Sequence, residues 1–188
     1  MATDLKDYIK IYDNVLDQSV CETFIKSFSL SNGEYVDREQ RPCFTHLNIS
    51  QKSEQKDSLW TEPQETILKT FDSVVDKYIS ELNVACDFPE NYAYEEFRMK
   101  MYQNNGKDQF KDHVDVADHA TARRFVVIFL YLNDVTVGGE TRFPVLDYTV
   151  TPKCGRILMF PATWQYRHAG LPPLSSKKYI VGSYLHYL

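Results

Sequence analysis

No Cys-x-x-Cys pair occurs in this chain, and its four cysteines, Cys21, Cys43, Cys86 and Cys154, stand far apart. Zinc ribbons and thiol redox centres need paired spacing, so these residues are expected as free thiols in a reducing compartment. Long hydrophobic runs are missing as well. The longest, Phe125 to Leu132, falls far short of the roughly 20 apolar residues that span a bilayer. Met1 to Lys10 alternates charged with apolar residues instead of forming a basic-then-apolar leader, so a cytoplasmic protein with no membrane partner is expected. Positive charge is not in excess: 21 Lys and Arg against 26 Asp and Glu give a formal net charge of -5 and a pI near 5.5. That balance removes nonspecific attraction to phosphate backbones, and nucleic acid is not an expected partner. No repeat, low-complexity tract or Pro/Gly/Ser linker divides the sequence. Its 188 residues, 43% hydrophobic and 14% aromatic, are therefore expected to form one domain with one site, and composition carries no signal for an oligomeric state.

Periodicity separates two halves. Tyr8 to Tyr12 alternates like a short strand, and after Asp17 the residues Val20, Phe24, Ile25 and Phe28 fall at helical spacing. A second helix is expected after Pro63, where Ile67, Leu68, Phe71, Val74, Val75, Tyr78, Ile79 and Leu82 form one apolar stripe wide enough to pack on a sheet. Between them, Ser31 to Asp57 is polar, with a turn signal at Asn32-Gly33 and a proline at Pro42. It reads as irregular, either a surface connection or a mobile loop near a site.

From Tyr94 onward the pattern changes to short β-like segments. Phe97, Met99 and Met101 alternate with Arg98, Lys100 and Tyr102, and Arg124 to Leu132 is a nearly continuous apolar run. Such a run, rich in β-branched and aromatic residues, suits a strand buried on both faces. Glu140 to Phe143, Tyr148 to Thr151, Arg156 to Phe160 and Lys178 to Tyr187 follow, punctuated by Gly138-Gly139, Pro152, Gly155 and Pro161. This predicts a mainly β fold with α, a sandwich or barrel whose N-terminal helices cover one outer face.

Among the five histidines, His113 stands in His113-Val114-Asp115, before the long apolar strand. On an extended backbone, side chains two apart point to the same side, so this imidazole and carboxylate can converge on one ion. A second imidazole from a distant strand, His168, would complete a facial triad, the ligand set of non-haem Fe(II) oxygenases. A His-x-Asp alone arises easily by chance. Here it is followed in order by a buried strand, a glycine-rich turn, His168 and then a cation, Lys178, ten residues further on. If 2-oxoglutarate chelated the iron, its distal carboxylate would need such a fixed positive partner.

Further text repeats the pattern: Tyr102-Gln103-Asn104-Asn105-Gly106, Arg124 through Tyr131-Leu132-Asn133, Gly138-Gly139-Glu140-Thr141, Phe160-Pro161, His168-Ala169-Gly170 and Lys178-Tyr179. Over Tyr94 to Leu188 the chain resembles the prolyl 4-hydroxylase-like branch of the 2-oxoglutarate/Fe(II)-dependent oxygenases. The resemblance implies a double-stranded β-helix, a jelly-roll core at residues 94–188 that binds the metal, with residues 1–93 as a helical support region. It implies iron ligands at His113, Asp115 and His168, and Lys178 on the distal carboxylate of 2-oxoglutarate. Tyr102 and Thr141 match residues that hydrogen-bond that co-substrate, and Tyr131 would line the same pocket. Arg124 matches an arginine facing the peptide substrate, and Tyr184 would lie on that side. The departures are two extra residues between Tyr102 and His113, Phe110 where a tyrosine is common, and Tyr184 where tryptophan is common.

The implied activity is that of a dioxygenase using Fe(II), 2-oxoglutarate and O2, with ascorbate as a candidate reductant. Its substrate would be a prolyl residue in a peptide or protein, with proline-rich segments held in a groove that Tyr92, Tyr94, Tyr166 and Tyr184 could furnish. Two alternatives stay open: hydroxylation of a free amino acid or small metabolite, and a non-catalytic peptide-recognition module in which the triad holds Zn(II). Nucleobase demethylation is disfavoured by the acidic balance.

Overall fold

The computed structural model describes residues 4–188, and Met1 to Thr3, the start of the segment read for a leader, lie outside the described residues. The N-terminal half contributes β1 (Lys10–Tyr12), α1 (Gln18–Leu30), β2 (Glu34–Asp37), β3 (Cys43–Asn48), α2 (Ile49–Glu54) and α3 (Thr61–Leu82). Then come β4 (Tyr92–Tyr94), β5 (Arg98–Tyr102), β6 (Phe110–His113), β7 (Arg124–Tyr131), β8 (Thr141–Phe143) and β9 (Tyr148–Val150). The chain closes with β10 (Arg156–Pro161), β11 (His168–Gly170) and β12 (Lys178–Tyr187). Seven strands of the large sheet run β1-β10-β7-β12-β5-β3-β2, with β4 also pairing β12. The small sheet runs β6-β11-β8-β9. All pairings are antiparallel, and the two sheets form the jelly roll.

Alternation sorts side chains into two cores. Met99, Val126, Ile128, Leu130, Val181 and Leu185 point to the outer face of the large sheet and meet Phe71, Val74, Val75 and Tyr78 of α3. Tyr102, Val127, Phe129, Tyr131 and Ile180 point the other way and pack with Phe143, Leu158 and Phe160 between the sheets. The strand β7 is buried on both faces because it contributes to both cores, which explains its unbroken apolar text. In α3, Pro63 occupies the first turn, where a missing N–H breaks no helical bond. The helix stops at Asn83, whose positive φ of 55° turns its N–H back to the carbonyls of Ile79 and Ser80.

Three local readings are corrected. Only Lys10 to Tyr12 of the segment beginning at Tyr8 is extended, because Asp4 caps a single 3-10 turn over Leu5–Tyr8. Leu68, placed in the apolar stripe, is 39% exposed at its rim. Ser31 to Asp57 is not irregular: β2 and β3 form a hairpin that joins the large sheet through β3 and β5. Its polar text belongs to an edge strand, where Glu34, Tyr35 and Asp37 face solvent while Cys43, Phe44 and Leu47 are buried. Gly33 is required at the start of that hairpin, since a Cβ there would stand 2.7 Å from the Thr45 side chain. Residues 4–93 thus supply strands as well as the helices that cover the outer face.

Phe71 is fully buried and meets the ring of Phe97 edge-on at 5.6 Å. Phe71→Ala is expected to destabilise the domain by about 3–5 kcal/mol in urea unfolding. A change below about 1 kcal/mol would mean that α3 does not seal this face.

Candidate active site

The small sheet brings the two histidines together. His113 ends β6, His168 begins β11, and the two are direct partners in the antiparallel register. Their rings lie 4.3 Å apart between centroids. Asp115, two positions beyond His113, sends Oδ1 to within 3.9 Å of His113 Nε2 and Oδ2 to within 3.6 Å of His168 Nε2. One donor atom from each residue lies within 4.8 Å of the others.

Backbone carbonyls orient both rings. His113 Nδ1 lies 2.8 Å from the Lys111 oxygen, and His168 Nδ1 lies 3.0 Å from the Tyr166 oxygen. With Nδ1–H donating, each Nε2 presents its lone pair to the same point. Burial, reinforced by the neighbouring His168, pushes the His113 pKa down to about 3, so the imidazole is neutral, as a metal ligand must be. Two neutral imidazoles and one carboxylate on one side of a point could hold Fe(II) and leave positions open.

A second group of residues lies beside this triad, in a pocket between the sheets. Tyr102, Tyr131, Thr141 and Ile180 line it, with His113 and His168 on one side. Lys178 enters from β12, directly opposite Tyr102 in register and only 2% exposed. Its Nζ donates to the Gly139 carbonyl at 2.9 Å and sits 4.3 Å from the centre of the Tyr102 ring. Among the described residues no carboxylate pairs with it, and burial pushes its pKa down to about 7. A buried cation with one neutral partner is costly and is relieved by an anion. Tyr131 and Thr141 share a hydroxyl hydrogen bond of 2.6 Å on the wall between.

Residues 97–186, the stretch that contains all of these groups, match the profile of the 2OG-Fe(II) oxygenase superfamily. That match spans 90 of the chain's 188 residues. Over 108 residues it is 29% identical to prolyl 4-hydroxylase subunit alpha-1 of Gallus gallus, a match covering 49% of this chain and 20% of that protein. The chain therefore spans about a fifth of the length of that relative. The jelly-roll fold is shared with the viral collagen prolyl hydroxylase of Paramecium bursaria Chlorella virus-1, solved with 2OG. There the TM-score is 0.64 at 21% identity, covering 96% of each chain. It is also shared with a Trichoplax adhaerens prolyl hydroxylase solved with a peptide fragment of the hypoxia inducible factor oxygen degradation domain. That TM-score is 0.68 at 18% identity, covering 95% of this chain and 83% of the other.

The two residues expected on the substrate side are engaged within this chain itself. Arg124 donates from Nε and Nη2 to the two Glu95 oxygens at 2.7 and 2.8 Å, and from Nη1 to the Asp115 carbonyl at 3.2 Å. Its fork is filled, and its flat face lies 3.9 Å from the centre of the Tyr184 ring. The Tyr184 hydroxyl donates to Asp115 Oδ1 at 2.7 Å. Burial and the Asp115 charge raise the Tyr184 pKa well above the usual phenol range, so the hydroxyl remains a donor. The expected tyrosine groove does not form. Tyr92 packs on Phe88 and Phe125, Tyr94 donates to Asp72, and Tyr166 is buried with its hydroxyl on the Leu5 carbonyl. Only Tyr184 of the four reaches the site. Phe110, noted as a departure, stacks flat on His113 at 3.5 Å between centroids.

Glu95, Phe129 and Lys100 escaped the sequence reading as site residues. Lys100 alone carried a signal, since it stands two positions from Tyr102 on the same side of a strand. Because the Tyr184 hydroxyl orients a triad carboxylate, Tyr184→Phe is expected to weaken metal binding by about 10- to 100-fold, as for other outer partners of ligands. Titration with Co(II), followed by its visible spectrum, measures this. An unchanged affinity and spectrum would remove Tyr184 from any role at the metal.

Proposed function

We propose that this chain is an Fe(II)- and 2-oxoglutarate-dependent dioxygenase that hydroxylates an unactivated C–H bond, most specifically of a prolyl residue in a peptide. One observation carries the reading: an unpaired, buried ammonium, Lys178, in the same pocket as a three-residue metal-ligand set. A structural zinc site has no need of such a cation. The whole acts as one domain, with residues 1–93 supporting the core at 94–188.

In this reading His113, Asp115 and His168 hold the iron. Lys178 takes the distal carboxylate of 2-oxoglutarate, exchanging one neutral carbonyl partner for a charged one in a low-dielectric site. The hydroxyls of Tyr102, Thr141 and Tyr131 complete the contacts along the pocket. With iron bound, the chemistry supplied is oxidation of 2-oxoglutarate by O2 to succinate and CO2, with the second oxygen atom entering the substrate C–H bond as a hydroxyl. Tyr184 and Arg124 hold Asp115 from behind, by its carboxylate and its carbonyl. A cleft of about 500 Å³ opens outside the triad, bounded by the β2–β3 hairpin and by β5, and is suited to an extended peptide. The peptide-bound Trichoplax relative and the prolyl 4-hydroxylase relative support a prolyl substrate.

The test is succinate release from 2-oxoglutarate when O2 is admitted to anaerobically iron-loaded protein, with ascorbate, and with or without a proline-rich peptide. His113→Ala is expected to abolish turnover. Lys178→Met is expected to weaken 2-oxoglutarate binding on the order of 100-fold, the scale for removing one partner of a buried charge pair, while metal affinity is kept. A protein that binds zinc and never forms succinate would refute the assignment.

A further inference from the structure

Lys100 has no assigned task, and its surroundings are unusual for a lysine. It points from β5 to the same side as Tyr102 and borders both the co-substrate pocket and the outer cleft. Its Nζ lies 5.3 Å from the centre of the Phe44 ring and 5.8 Å from that of Phe129. Among the described residues its ammonium makes no hydrogen bond and no ion pair; two aromatic faces lie over it, and Asp115 is the carboxylate whose charge it feels. Such faces replace water only weakly.

The charges around it do not balance. The carboxylates that line the outer cleft are all engaged: Glu95 with Arg124, Glu96 with Arg98 at 2.6 Å, and Asp118 with the Thr121 hydroxyl at 2.8 Å. Asp115 accepts from Tyr184 and belongs to the triad. On the opposite wall, Arg38 and Arg41 of the hairpin line the same cleft, and neither makes an ion pair among the described residues. Five Lys and Arg line this cleft, Arg38, Arg41, Arg98, Lys100 and Arg124, against four Asp and Glu, so in a chain with a formal net charge of -5 the mouth of the site is positive, and Lys100, Arg38 and Arg41 are its cations without an ion pair among the described residues. Fields of one sign in a cleft select partners of the other sign.

We propose that the peptide substrate is acidic, with a carboxylate next to the residue that is oxidised, and that Lys100 receives this carboxylate while Arg38 and Arg41 draw in the flanking segment. The inference rests on the dioxygenase reading for the identity of the oxidised residue, and on the cleft alone for the charge of the ligand. Lys178 is a separate cation, aligned with Tyr102 and Gly139 in the inner pocket, so the two lysines have different carboxylates.

The experiment measures binding and needs no turnover. Two fluorescein-labelled, C-terminally amidated peptides of equal length are compared, one with Glu on both sides of a central Pro and one with Gln there. They are titrated against wild type, Lys100→Met and Lys100→Arg, each loaded with Mn(II) and 2-oxoglutarate under anaerobic conditions. Wild type is expected to favour the Glu peptide by about tenfold, the range for one well-placed charge pair. That preference should shrink with added salt, fall to near unity in Lys100→Met and persist in Lys100→Arg. Equal binding of the two peptides, or no binding of either, overturns the proposal. So does an undiminished preference in Lys100→Met, or a Lys100→Met whose 2-oxoglutarate affinity drops as far as its peptide discrimination, which would make Lys100 part of the co-substrate pocket. Free glutamate competing as well as the Glu peptide would overturn the peptide as the source of the carboxylate. Discrimination by a protein that makes no succinate would keep the acidic ligand and sink the dioxygenase reading.

Discussion

The register of β12 is the constraint on which the site depends. Four of its residues alternate inward: Lys178 beside Tyr102, Ile180 in the inner pocket, Gly182 at the outer cleft and Tyr184 on Asp115. On the other face Tyr179, Val181 and Leu185 belong to the outer core against α3. A slip of one position would bury Lys178 among the side chains of the helix layer and turn Val181 into the pocket. Because β12 pairs with β7, β5 and β4, the hydrogen bonds of the central sheet and the packing of α3 specify the same register. Gly182 shows how closely this strand is fitted, since a Cβ there would stand 2.8 Å from the Phe129 ring.

Electrostatics then divides the interior into two compartments. Among the described residues Lys178 has a carbonyl and an aromatic face but no carboxylate at ion-pair distance, an arrangement that disfavours its charge until an anion arrives. Asp115 is instead surrounded by donors and potential positive charge, with Tyr184 on its carboxylate and Arg124 on its carbonyl. Glu95 binds both branches of the Arg124 fork and so aims the third nitrogen at Asp115. A bidentate pair of this kind positions by geometry as much as by energy. The small sheet carries His113 and His168, while the large sheet carries the hairpin and the Tyr184 and Lys100 side chains that border the outer cleft.

Much of this could be read from one sequence where a segment obeys a single periodicity. Both long helices and the strands at Arg124, Arg156 and Lys178 were legible because each has one face, or both, committed to a core. The hairpin of β2 and β3 was not, because an edge strand keeps its polar residues outside and presents little alternation. The strands β6 and β11 are too short to show any period, yet their pairing is what sets His113 against His168.

The candidate ligand set, its order along the chain and the cation ten residues beyond His168 are legible from residue identity and spacing, although β6 ends at His113 and Asp115 reaches the same point from the bend that follows it. Which partner a long polar side chain takes does not follow in that way. Arg124 and Tyr184, expected to face a substrate, turn to Glu95 and Asp115, and Tyr92, Tyr94 and Tyr166 go to other surfaces. Such side chains have several rotatable bonds and reach neighbours brought close only by sheet pairing. Their assignments are properties of the folded arrangement, as is the gathering of Lys100, Arg38 and Arg41 at one cleft.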